Sequence, residues 1–253
     1  MKMNRAAVAS GKTFRRVFVN KWIPTFLVLI TSMPTALAAN PATFKSTQAT
    51  HDVALETDPH SAFWRGALPI YAEVDKYGRP LPRYRTEVLS RWTKDNLYFL
   101  FVCPYEELYL KPSPDVMAKT NLLWNWDVAE VFIGSNFQNI RHYKEFELSP
   151  QGEWLDLSIN LDHPHHEDGW TWKSGFATAA RIDRNVRIWY GAMRIPFSAI
   201  DRRKPAPGND FRINLFRSQG PPADRKQVAW QAPMSDSFHV PEHFGLLELV
   251  KRR

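Results

Sequence analysis

Apolar residues recur along this 253-residue chain in runs of five to nine separated by turn residues. No long segment keeps the 3.6-residue period of an amphipathic helix, so the pattern predicts an all-β protein. Residues 84–92 lead through Thr93-Lys94-Asp95-Asn96 into 97–103, a hairpin with a polar turn. Its second arm, Leu97 to Cys103, is apolar at every position, which predicts a central strand buried on both faces. Further strands are expected over 127–134, 142–149, 154–161, 176–182, 186–195, 211–217, 227–230 and 246–250, with short helical turns at 196–200 and 105–110. Residues 39–50 are small and polar without an apolar period and read as a linker. That leaves 51–253 as one domain, the usual arrangement for a sandwich or barrel of this length.

Three successive strands alternate cleanly, and alternate residues of a strand point to opposite faces. In 127–134, Val128, Glu130 and Phe132 oppose Ala129, Val131 and Ile133; in 142–149, Tyr143, Glu145 and Glu147 oppose Phe146 and Leu148. In 154–161, Trp154, Asp156, Ser158 and Asn160 oppose Leu155, Leu157, Ile159 and Leu161. Paired as a meander, the strands are expected to gather Glu130, Glu145, Glu147 and Asp156 on one face, flanked by Tyr143 and Trp154. Carboxylates set among aromatic rings suit a sugar. Rings stack on the apolar faces of a pyranose, and ionised oxygens accept charge-assisted hydrogen bonds from its hydroxyls. The plainer expectation, which alternation alone favours, is a solvated outer face.

Composition sharpens this picture at two points. Aromatics reach 13% with ten Trp, more flat surface than a core of this size takes up, so some Trp are expected to face a ligand. The net charge of +7 suggests nucleic acid at first sight. Six of the 33 bases and none of the 26 acids lie in residues 1–38, however, which leaves 27 bases against 26 acids in the rest. A basic nucleic-acid-binding face therefore loses its support. Residues 1–38 carry bases up to Lys21, an apolar stretch over 22–33 and Ala36-Leu37-Ala38, the layout of an export signal cleaved after Ala38. The stretch is short for a membrane span and is interrupted by Pro24. The mature chain is thus expected to be exported, periplasmic or secreted, with no stable membrane insertion after cleavage. Phe14-Arg15-Arg16-Val17-Phe18 resembles a twin-arginine export motif, and the route stays open.

Other chemistry is thinly represented. Cys103 is the only cysteine and sits in an apolar run, which excludes a disulfide framework and predicts a buried, inert thiol. His163-Pro164-His165-His166-Glu167-Asp168 is dense in metal-ligand types but reads as a solvated loop tip. Asp127 and Asp156 offer oxygen ligands without a spaced calcium loop, so calcium is left open and no metal ligand is assigned. Met117, Met193 and His239 are formal axial-ligand candidates for a haem, yet no Cys-x-x-Cys-His occurs and haem is disfavoured. Nucleophile-elbow, Walker and dinucleotide-loop motifs are missing.

An ordered series of motifs resembles the family 9 carbohydrate-binding modules and their stand-alone relatives over roughly residues 52–250. The series runs from Arg91-Trp92 with Asn96-Leu97-Tyr98 through Trp124-Asn125-Trp126-Asp127-Val128-Ala129-Glu130-Val131-Phe132-Ile133 to Tyr143-Lys144-Glu145-Phe146-Glu147. It continues with Trp189, Ile195-Pro196-Phe197 and Phe211-Arg212-Ile213-Asn214, and ends on Phe238-His239-Val240-Pro241-Glu242-His243-Phe244-Gly245. The resemblance implies a two-sheet antiparallel β-sandwich, of jelly-roll or immunoglobulin-like kind, that holds a sugar between two aromatic rings.

Carried over by position, the clamp falls on Trp124 and Phe238, the latter where the family pattern has Trp. The polar contacts fall on Glu130, Glu147 and Asn214 with Glu145 beside them, while Trp92, Trp189 and Trp230 fall in the core. The expected function is non-catalytic binding of an oligo- or polysaccharide in extracytoplasmic polysaccharide catabolism, with a separate catalytic partner protein conceivable. A glycoside hydrolase using the acidic face is the alternative, since both its mechanisms need two carboxyl groups at a set separation. A haem-binding electron-transfer sandwich is a further one.

Overall fold

The computed structural model describes residues 41–163, 170 and 172–252. The segment read as a leader, with its expected cleavage site, and the 164–168 part of the His-rich segment lie outside the described residues.

Among the described residues the chain forms thirteen strands, one α-helical turn and four short 3₁₀ turns, the strands and α-helical turn being β1 (Thr43–Gln48), β2 (Ile70–Ala72), β3 (Val74–Asp75), β4 (Thr86–Trp92), β5 (Asn96–Pro104), β6 (Val128–Gly134), β7 (His142–Leu148), β8 (Trp154–Asn160), β9 (Ala177–Asp183), β10 (Ile188–Pro196), α1 (Phe197–Ile200), β11 (Asp210–Gln219), β12 (Lys226–Ala229) and β13 (Gly245–Val250). The β4–β5 hairpin closes where expected. Thr93 Oγ1 accepts hydrogen bonds from the backbone N–H groups of Asp95 and Asn96 at 3.3 and 3.0 Å, which satisfies the turn locally. β5 lies between β4 and β10, and Leu97 through Phe101 are fully buried, as an uninterrupted apolar strand requires. The 105–110 segment is not helical. The backbone N–H of Tyr109 is instead held at 3.1 Å by the Asp127 carboxylate.

Strand order runs β8-β7-β6-β11-β13-β1-β4-β5-β10-β9. The β8-to-β13 half folds over the β4-to-β9 half, and Val131, Ile133, Phe146 and Leu215 of the first pack with Phe99, Phe101, Trp189 and Met193 of the second. This is a β-sandwich. Trp92 and Trp189 are buried in that core, and Trp230 packs against it partly buried. Cys103 is buried there too, its thiol pushed up to about 12 by desolvation, which keeps it unreactive. Among the described residues no helix is long and apolar enough to cross a membrane.

The stretch read as a linker holds β1, which pairs in parallel with both β13 and β4 and so joins the two halves. Its sequence offers one large apolar anchor, Phe44, and its Ser46 is buried against Ser90 with the hydroxyls 2.8 Å apart. A strand that buries serine leaves no apolar period to read. Gly245 opens β13 where a Cβ would come within 2.6 Å of both the Trp230 ring and the Ala42 carbonyl, so only glycine lets the strand pass.

Candidate functional site

The register of the β6-β7-β8 meander decides which side chains share a face. Glu130 stands opposite Glu147 and Phe132 opposite Glu145, so these four point the same way. On the next ladder Glu145 faces Leu157 and Glu147 faces Leu155, whereas Asp156 faces Phe146 and Trp154 faces Leu148. The acidic face therefore holds Glu130, Glu145, Glu147 and Tyr143, and it is the leucines of β8 that accompany them. Asp156 and Trp154 lie on the opposite face, contrary to the expectation that polar positions of all three strands would match. Asp156 pairs with Lys119 and accepts from the Ser174 N–H at 2.7 Å, while the Trp154 indole donates to the Val116 carbonyl at 3.1 Å.

The acidic face is not solvated either. Glu130, Glu145 and Glu147 are between 0 and 3% exposed. A second apolar cluster covers this face, in which Leu123, Phe238 and Phe244 from outside the strands pack with Leu155 and Leu157 of β8 and Phe216 of β11. On this face a cavity of about 480 Å³ opens, lined by Trp124, Glu130, Phe132, Glu145, Ser218, Arg225, Gln227, Asp236, Phe238 and His239. Four of the six residues expected to touch ligand, namely Trp124, Phe238, Glu130 and Glu145, thus come together in one chamber.

The aromatic walls differ in character. Trp124 sits half-buried in a short 3₁₀ turn, entered through Leu122 in the left-handed region at φ 59°, and its carbonyl accepts from Arg225 at 2.7 Å. Phe238 is only 9% exposed, with one face laid flat on Phe216 at 4.1 Å and 7° between planes. It therefore offers the cavity one remaining face at most. His239, next in the chain, stacks on Phe132 with centroids 5.1 Å apart, meets the Tyr143 hydroxyl at 2.7 Å through Nδ1 and lies 3.9 Å from Glu145 through Nε2.

Three carboxyls buried side by side are costly to ionise. Burial holds Glu130 well above the ordinary carboxylate range, with Glu145 adding to the rise. Burial, then the charges of Glu145 and Glu130, raise Glu147 likewise. Glu145 is pushed up to about 7 by burial, opposed by a hydrogen bond with Glu147. As carboxylates, neither oxygen of Glu147 nor Oε2 of Glu145 has a donor partner. A proton on Glu147 supplies one, making Glu147 the donor and Glu145 the acceptor. Arg225 eases the cluster by charge alone, since its hydrogen bonds go to the carbonyls of Gly220, Trp124 and Trp126. The chamber can consequently both donate to and accept from hydroxyl groups, beside an indole face.

Glu147 lies behind the lining, and Asn214 is outside it. The Asn214 amide donates to the Gln231 carbonyl at 2.8 Å and its oxygen accepts from the N–H groups of Leu215 and Gln231 at 2.9 and 3.1 Å. That bonding leaves it a clamp on the loop after β12. Asp127, similarly, accepts from the N–H groups of Gly220 and Tyr109. Among the described residues no group of three or more His, Cys, Asp or Glu is arranged to hold a metal ion. Met193 is in the core, Met117 is 88% exposed and His239 is in the chamber, so the three formal haem ligands have separate settings. Sequence reasoning missed Arg225, Gln227, Ser218 and Asp236 as lining; all four stand outside the three alternating strands, on β11 or β12 or in flanking turns and loops.

Comparison with known proteins agrees with the fold. The carbohydrate family 9 binding domain-like family matches residues 79–252. The chain belongs to this family. An extracellular protein of Arthroderma benhamiae is 24% identical over 178 residues, covering 66% of this chain and 74% of that one. A family 9 carbohydrate-binding module of Caldicellulosiruptor kristjanssonii, solved with cellotriose, superposes with a TM-score of 0.58 at 12% identity over 84% of this chain and 95% of that one. With glucose bound, the corresponding module gives 0.57 at 12% identity over 84% and 97%. A Bacteroides uniformis protein reaches 0.64 at 13% identity over 83% of this chain and all of its own. At such identities these structures speak to the fold.

Proposed function

We propose that the protein is exported and binds carbohydrate, without cleaving it, in the chamber between Trp124 and Phe238. The observation that carries this reading is the meeting of a half-buried indole with carboxyls of Glu130 and Glu145 in a cavity of about 480 Å³, room for one or two sugar rings. Trp124 supplies the stacking face, Phe238 backed by Phe216 forms the far wall, and Glu130 and Glu145 meet the hydroxyls. Glu147 acts from behind by sharing its proton with Glu145. Family membership and the sugars bound by the two Caldicellulosiruptor structures support the same reading. The extracellular description of the Arthroderma relative and the signal-like layout of residues 1–38 support export, where the bound glycan would be one consumed by a separate enzyme.

Hydrolysis is the weaker reading. Glu130 and Glu145 both line the chamber, and burial raises both carboxyls, which disfavours the ionised nucleophile or base that either glycosidase mechanism needs. A glycan-array screen of the protein, with reducing-sugar release assayed in the same wells, tests both. Binding without release is expected; turnover on a bound glycan, abolished by Glu130→Gln, would replace the binding reading with the hydrolase.

A further inference from the structure

A second cavity, of about 740 Å³, shares no residue with the aromatic chamber. It is enclosed by the outward side of β1, residues 49–68 and the end of β13. Phe44 and Ser46 turn inward on β1, so Lys45 projects to the other side, into this cavity. Arg65, Arg91, Lys251, Arg252 and His51 join it, against a single acid, Glu56. Several surface arginines elsewhere find carboxylates, as Arg83 does with Glu106 and Arg141 with Asp162, each at 2.7 Å, while among the described residues Arg184, Arg187 and Arg202 do not. Among the described residues none of the five Lys and Arg side chains of this cavity is ion-paired.

Arg91 gives the cavity a built floor. It is 6% exposed and donates from Nε to Thr47, from Nη1 to Phe63 and Arg65, and from Nη2 to Gln48, all backbone carbonyls 2.7–3.1 Å away. Four of its five N–H groups are thereby used, and one on Nη2 has no partner. Carbonyls satisfy donors but do not neutralise a charge, and a buried guanidinium without a counter-ion is costly. An anion in the cavity supplies both the missing acceptor and the missing charge. The volume far exceeds that of an inorganic ion, the cations are spread around the walls, and Phe63, Val53 and Leu68 add apolar surface between them. These features call for an extended ligand with more than one oxyanion group.

We infer that this cavity is a second binding site, for an acidic oligosaccharide that presents carboxylate or sulfate groups to Arg91 and the surrounding cations. The choice of a saccharide over another oxyanion rests on the carbohydrate-binding reading above; the site itself does not. The two sites work separately, one through a ring face and the other through charge.

The test is calorimetric titration of the protein with trigalacturonate, a sulfated disaccharide, a neutral trisaccharide and inorganic sulfate. At least one of the two acidic oligomers should bind, at least fivefold more weakly when salt rises from about 50 to 300 mM, because screening shortens the reach of exposed charges. Binding by trigalacturonate alone assigns a carboxylate ligand, and binding by the sulfated sugar alone a sulfate ester. Affinity should stay within twofold in Trp124→Ala and fall at least tenfold in the combined Lys45→Ala, Arg65→Ala, Arg252→Ala variant, whose three positions are exposed and leave the fold intact. Failure of both acidic oligomers to bind, equal binding by the combined variant, or loss of binding in Trp124→Ala would each overturn the proposal. Inorganic sulfate binding as tightly as the oligomers would reduce the cavity to a small-ion site and overturn it as well. Binding of acidic but not neutral glycans would sink the aromatic-chamber reading and leave this one standing.

Discussion

Glu130 of β6 and Glu147 of β7 stand directly opposite each other on a buried face, neither more than 2% exposed. Like charges at opposed positions repel, and both are desolvated here, so the folded state holds protons that the unfolded chain would release.

Stability should therefore fall as pH rises. Glu145 has an ordinary value of 4.5 and a folded value of about 7, and Glu130 and Glu147 are raised as well. Below about 4.5 both states are protonated and nothing is lost; between there and about 7 the unfolded chain ionises while the fold resists, so the native state weakens and continues to weaken until Glu130 and Glu147 ionise too. Carboxylates held low by partners, such as Asp52 and Asp75, give the opposite slope at more acidic pH. Melting temperature against pH checks this, and Glu147→Gln should flatten the decline and gain about 1–2 kcal/mol at pH 8. A melting temperature that climbs from pH 5 to 8 would refute the buried, protonated cluster.

Asn214 separates a structural role from a ligand role. Its amide grips Gln231 from both ends, so Asn214→Ala leaves buried backbone groups unpaired and should cost about 1–3 kcal/mol. Denaturant unfolding measures this. Glycan affinity of the folded variant should stay close to that of the parent; a selective loss of affinity at unchanged stability would return Asn214 to the ligand.

Export predicts a processed N-terminus. Protein recovered from its native host should begin at or beside Ala39, as Ala36-Leu37-Ala38 would direct. Mass spectrometry of the intact chain decides, and an unprocessed chain in the membrane fraction would contradict it.

Much of this was legible in the sequence, and the exceptions have physical causes. β5 announced itself because burial on both faces demands an unbroken apolar run, and the β6 and β7 alternation placed Glu130, Glu145 and Glu147 together. β8 was read onto the wrong side because alternation tells which residues share a face but not which face is the core. Here the acidic side is roofed by Phe238 and Phe244, so Leu155 and Leu157 turn toward it while Asp156 is buried beneath Lys119. β1 escaped since its buried Ser46 and Thr47 are held by hydrogen bonding and parallel ladders rather than by apolar area. Asn214, carried over by resemblance alone, does share the face of Phe132, but its side chain is bonded to Gln231, seventeen residues on, which no strand pattern reveals.

The central claim, a sugar stacked on Trp124, is tested most directly by titrating parent and Trp124→Ala with the best neutral glycan from the array, alongside Trp92→Ala as a core control. The parent should bind with a Kd on the order of micromolar to millimolar, as expected of one ring face and a few hydroxyl contacts. Trp124→Ala should lose about 2 kcal/mol or more of affinity at an almost unchanged melting temperature, whereas Trp92→Ala should lose about 3–5 kcal/mol of stability. Undiminished binding by folded Trp124→Ala would contradict the account.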